Sequence, residues 1–216
     1  YLLWGWTAML APTTYFYGLM VGARVNLVCA LLTLVLLALG RVPWRNYQNN
    51  TTTWLYALFA LHATLAYLFA YDGNPHNYPY YEFLLKSLLF AVVMPFFVRE
   101  RVHFHAMFIV IALGLGIHGV LNGLKIIASA GGHLMMGPQG TVLDDRNHLS
   151  VALALMLPLL LYLQTYTVNR LIRLGYLGAF CVLVLAILGG GSRGGFIAVS
   201  VVGVWLILAT RRKAMR

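Results

Sequence analysis

The 216-residue chain is 61% hydrophobic and 9% charged, with a mean hydropathy of +0.80 and a formal net charge of +10 from 15 basic and 5 acidic residues. Soluble globular domains carry about 25% charged residues, so composition excludes that class, and the apolar runs are too long for the strands of a membrane β-barrel. In so apolar a chain the basic excess reports membrane topology before nucleic-acid binding.

Eight apolar segments follow one another at about 1–11, 21–39, 54–71, 83–98, 106–128, 148–166, 174–190 and 195–210. Joined by short loops, they predict an all-α polytopic transmembrane helical bundle of about eight spans. No cleavable signal is visible. The first run is short and the chain stops soon after the last. Residues 1–216 are therefore expected to be one transmembrane domain belonging to a longer protein. Cys29 and Cys181 both fall inside apolar runs and suggest neither a disulfide nor a metal site.

Loop charge alternates along the chain. One set of loops holds Arg41, Arg45, Arg99, Arg101, Arg170, Arg173, Arg211, Arg212, Lys213 and Arg216 with a single acid, Glu100. The other set holds Asp72, Glu82, Asp144 and Asp145. The positive-inside rule makes the first set cytoplasmic. Arg24, Lys86, Lys125, Arg146 and Arg193 are then left at the outer ends of spans, where snorkelling to headgroups or pairing with nearby acids accounts for many cations. Together they suggest an electropositive outer rim suited to phosphate or pyrophosphate.

Arg193 stands apart from the other four. It lies in GGGSRGG, residues 189–195, between two long apolar runs and without a carboxylate nearby in sequence. A cation at such a place is costly and marks a functional site by default. The five flanking glycines are expected to turn backbone N–H groups inward as an anion-binding nest.

The longest outer loop, about 129–147, ends in a charged stretch. Asp144, Asp145 and Asn147 read as N-cap or first-turn residues of the helix that follows. Arg146 opposes that helix's macrodipole; it either pairs with its own aspartates or faces an anion. His103 and His105 fall in a cytoplasmic loop, where alternate spacing without Cys or acidic partners is a poor metal signature. His62 and His118 fall mid-span, where bonding to a neighbouring helix is the commonest role. His133 and His148 lie on the outer side. Pro95 and Pro158 are expected to kink their spans. Trp4, Trp6, Trp44, Trp54, Tyr78, Tyr80 and Tyr81 suit interfacial belts. The N-x-Thr patterns at Asn49 and Asn50 fall in a loop expected to be cytoplasmic.

Three stretches carry a family likeness: RERVHFHAMFIVIALGLGIHGVLNGL, DDRNHLSVALALMLPLLLYL and the SRGG turn with its flanking spans. In order and spacing they resemble the O-antigen ligase and O-antigen polymerase superfamily of bacterial inner-membrane glycosyltransferases, in particular the exosortase-associated O-glycosylation ligases. The resemblance implies an inverting, metal-independent transferase without cofactors. It implies transfer of a glycan from undecaprenyl pyrophosphate, at the periplasmic face, to a lipid A core oligosaccharide or a protein hydroxyl. A polymerase would instead use another lipid-linked repeat as acceptor. A transporter or flippase of an anionic lipid-linked substrate is the reading from another class. No nucleic acid is expected as partner.

The family's arginines that bind pyrophosphate map onto Arg193 as principal clamp of the leaving group and Arg146 as second. Ser192, Asn147 and His148 adjoin them as substrate-binding residues, and Lys86, Lys125 and Arg24 are peripheral. The family places a large periplasmic loop with an important histidine after the span that here ends near Thr210. That stretch is absent from this sequence, so no general base is assigned.

Overall fold

The computed structural model describes residues 1–15, 23–40, 51–70 and 77–214, with side chains to residue 209. The expectations placed on Arg41, Trp44, Arg45, Asn49, Asn50 and Asp72, and on the side chains of Arg211, Arg212, Lys213 and Arg216, lie outside the described residues. Among the described residues the chain is all-helical, with helices α1 (Leu2–Leu10), α2 (Val25–Ala38), α3 (Thr51–Leu68), α4 (Asn77–Phe97), α5 (Arg101–Ala128), α6 (Arg146–Tyr166), α7 (Arg170–Gly189) and α8 (Arg193–Ala214). A short 3-10 turn, Pro12–Thr14, follows α1.

Each helix answers one apolar segment. Four of them, α4 to α7, are long and apolar enough to cross a membrane, whereas α2 and the stretch Arg193–Ala209 are apolar but shorter. At 1.5 Å per residue, the nine residues of α1 reach less than half the hydrocarbon thickness.

Helix starts differ from the apolar boundaries where first turns are polar. Tyr78, Tyr80 and Tyr81 lie inside α4. His103 and His105 belong to α5 and not to a loop. His103 helps set that start, since its Nδ1 accepts the N–H groups of Arg99 and Glu100, each at 3.4 Å. Pro95 and Pro158 sit within α4 and α6. Trp4 is buried within the protein.

The chain divides into two compact units, residue 1 with 32–104 and residues 2–31 with 105–216. In the first, α3 packs on α4. Tyr67 stacks on Tyr81 with ring centroids 4.5 Å apart, and Thr64 shares a 3.1 Å hydrogen bond with the Tyr81 hydroxyl.

The second unit holds the core. Leu149, Leu153 and Leu163 of α6 and Leu183 and Ala186 of α7 are wholly buried, and α6 packs against both α7 and α8. Helix α5 joins them through glycine. A methyl at Gly123 would lie 2.6 Å from Val182 Cγ1, and one at Gly119 would lie 2.8 Å from Leu153 Cδ2. Small residues let helix backbones approach closely, which matters where lipid tails remove the usual hydrophobic drive.

At one end of this unit α5 and α7 finish while α6 and α8 begin. Helix α5 closes in a double turn, Gly131 N–H to Ile126 C=O at 2.8 Å and Ala130 N–H to Ile127 C=O at 3.2 Å, with Ala130 left-handed. The loop beyond it seats the fully buried Met135 against Gly190, where a methyl would lie 2.8 Å from Met135 Cβ.

Candidate anion-binding site

The first turn of α6 consumes its own acids. Asp145 is the N-cap, its Oδ1 accepting the N–H groups of Asn147 at 2.7 Å and His148 at 3.3 Å. The Asn147 N–H above all holds the Asp145 carboxyl below the usual carboxylate range. Asp144 Oδ2 accepts the Gly140 N–H at 3.2 Å. Both carboxylates are therefore engaged with backbone. Arg146, exposed at the first helical position, has no acid on it. The only ion pair among the described residues joins Glu82 and Lys86. Arg146 forms no ion pair with its own aspartates.

The first turn of α8 stands beside it. The glycines around Arg193 do not form an open nest: Gly189 ends α7, and Gly194 and Gly195 lie within α8. Helical geometry takes over because Ser192 caps α8, its hydroxyl oxygen accepting the Gly195 N–H at 2.9 Å. The same hydroxyl donates to Asn147 Oδ1 of α6 at 2.8 Å. Gly195 is required at this crossing, because a β-carbon there would overlap Ser150 Cβ. Gly191 takes a left-handed φ of 69°, which turns the chain from α7 into Ser192.

Two helix N-termini thus meet through one buried serine, and each carries an exposed arginine at its first position. A cation in the first turn opposes the macrodipole by about 0.3–1 kcal/mol. Neither arginine recovers that cost from a carboxylate among the described residues. The caps take up most of the first-turn N–H groups, so the two guanidinium forks are the main donors the junction offers to phosphate oxygens.

The structure brings Arg146, Asn147, Ser192 and Arg193 together. His148 adjoins them, exposed, with Nδ1–H donating to Val142 C=O at 3.0 Å. Lys86 belongs to the other unit and is paired there with Glu82. Arg24 is exposed just ahead of α2, its carbonyl accepting the Val28 N–H at 3.1 Å. Lys125 lines a separate cleft.

That cleft holds polar residues the sequence reading did not select. Tyr15 OH lies 2.6 Å from His118 Nδ1, and His118 Nε2 lies 3.2 Å from Met9 C=O. Because a carbonyl only accepts, Nε2 carries its hydrogen; in the neutral ring the Tyr15 hydroxyl then donates to Nδ1. Burial pushes the Tyr15 phenol above its ordinary value. Asn122 donates to His118 C=O and Met136 C=O, at 2.9 and 3.0 Å. It accepts from Met136 N–H at 3.2 Å and His133 Nε2 at 3.3 Å. One signal was available: His118, Asn122 and Lys125 stand four and three residues apart, on one helical face.

The profile of a family of unknown function, DUF5935, matches residues 1–168. The match takes in α1 to α6, including Arg146, and ends before Ser192 and Arg193. No curated protein and no solved structure matches the chain.

Proposed function

The chain belongs to the DUF5935 family, whose function is unknown, and we propose that it is a multi-span membrane glycosyltransferase of the O-antigen ligase type. It takes a glycan from undecaprenyl pyrophosphate and passes it to a lipid A core oligosaccharide or a protein hydroxyl. The site opens to the periplasmic face of the bacterial inner membrane. The observation that carries this reading is the pair of abutting helix N-termini, each with an exposed arginine and no acid paired with it among the described residues.

The chemistry asks for that arrangement. When an acceptor hydroxyl attacks the anomeric carbon, the bond to the pyrophosphate breaks and negative charge grows on the departing oxygens. Fixed donors aimed at that charge lower the barrier more than they tighten substrate binding. Arg193 clamps the leaving group and Arg146 takes a second oxygen. Ser192 and Asn147 act as positioning residues by holding the two first turns together.

The test uses the full-length protein reconstituted with a lipid-linked glycan and a lipid A core acceptor. Arg193→Ala is expected to lower transfer roughly a hundredfold to a thousandfold, with membrane insertion and abundance unchanged. Equal transfer by this variant overturns the assignment. A ladder of lengthening lipid-linked glycan identifies a polymerase. Movement of labelled lipid across the bilayer without a new glycosidic bond identifies a transporter.

A further inference from the structure

The cleft beside the C-terminal end of α5 has a volume of about 430 Å³, within the range of small-molecule sites. Thr14, Tyr15, His118, Lys125, His133 and Gln139 supply its polar lining. What matters is which hydrogen-bonding capacity the protein itself leaves over.

Asn122 has used both donors and both lone-pair directions on His118, Met136 and His133, so it holds the wall and offers nothing. Tyr15 gives its proton to His118 and keeps its oxygen lone pairs. Thr14 gives its proton to Ala11 C=O at 2.7 Å and likewise keeps acceptors. His133 donates through Nε2 to Asn122, which leaves Nδ1 as an acceptor in the neutral ring. The cleft therefore presents three acceptors matched by a ligand's own O–H groups.

Lys125 is the one charged residue of the lining and has no acid partner among the described residues. Its place in the last turn of α5 suits that helix's macrodipole, yet leaves three ammonium donors unspent. Backbone strain also converges here. Ala11 holds a left-handed φ of 47° without being glycine, and the turn it starts delivers Thr14 and Tyr15 to the cleft.

We propose that this cleft binds a polyhydroxylated anion, its acid group on Lys125 and its hydroxyls on Thr14, Tyr15 and His133. Two sources share that chemistry, an acidic sugar and a glycerol-phosphate lipid headgroup. The proposal involves neither Arg146 nor Arg193 and stands apart from the transferase reading.

Isothermal titration of the detergent-solubilised protein tests it with four probes: glucuronate, short-chain phosphatidylglycerol, glucose and acetate. Glucuronate or phosphatidylglycerol is expected to bind, and whichever does so names the source; glucose and acetate lack one half of the match and bind at least tenfold more weakly. Lys125→Gln should weaken the productive probe about tenfold or more, Lys125→Arg should restore most of it, and Arg193→Ala should leave it unchanged. Lys125 is exposed, and an unchanged melting temperature establishes that the Gln variant is folded. Failure of both anions to bind, equal binding of glucose or acetate, or undiminished binding by Lys125→Gln overturns the proposal.

Discussion

The α6–α8 junction and the α5 cleft are both polar and both belong to the second unit, yet they are built by opposite rules. At the junction the main chain does the placing. Helix starts, a serine cap and a glycine contact fix where Arg146 and Arg193 emerge, while their side chains stand exposed without a carboxylate partner among the described residues. In the cleft the side chains do the placing. His118 and Asn122 are buried and bonded across three segments, and the charged group is an accessory at the rim. The first arrangement is tolerant of changes in side-chain length and intolerant of added bulk at its glycine. The second should show the reverse.

Substitutions sharpen this contrast. Asn122→Ala should be the most damaging, because it strands the Met136 N–H and C=O groups and removes the partner of His133. A loss of about 3 kcal/mol is expected, read as a lower melting temperature together with faster amide exchange at Met136. Gly195→Ala comes next. Overlap with Ser150 outweighs the gain of about 1 kcal/mol in helix propensity, for a net loss of about 1–2 kcal/mol. Gly194→Ala, one residue earlier, places its methyl 3.6 Å from Asn147 Oδ1 and should be neutral or stabilising. If the two alanines behave alike in a thermal melt, the main-chain account of the junction is wrong.

Ser192→Ala removes a cap and the tie to Asn147, at about 1 kcal/mol, and should reduce glycan transfer while leaving cleft ligand affinity intact. The smallest effect concerns pH. The folded Asp145 carboxyl sits below its ordinary value, so its contribution is complete above the unfolded value of about 3.9. That contribution is lost only as pH falls through the lowered folded value. The Asn147 amide resonance should titrate in that acidic window, and in Asp145→Asn it should stay flat while the cap persists.

Much of the helical framework was legible because long apolar runs admit few alternatives. The starts of α4 and α5 were not, since Asn77–Glu82 and Arg101–His105 are mostly polar or aromatic and carry little apolar signal. Arg193 could be picked out because it stands between two long apolar runs with no acid nearby in sequence, and Arg146 because it opposes the macrodipole of the helix it starts. That Ser192 would touch Asn147, 45 residues earlier, depended on tertiary packing. The glycines beside Arg193 misled for a related reason: they read as loop formers, whereas the fold uses Gly195 as the gap through which one helix passes another. Tyr15 was out of reach, because its arrival at His118 turns on a left-handed alanine that local preference argues against.

The missing side chain at Gly195 has one more implication. With nothing but a hydrogen between that backbone and Ser150, the roots of Arg146 and Arg193 behave like the jaws of a calliper set to a single width. Only the flexible arms adjust, so on the transferase reading the helix crossing sets the base from which both guanidinium groups reach.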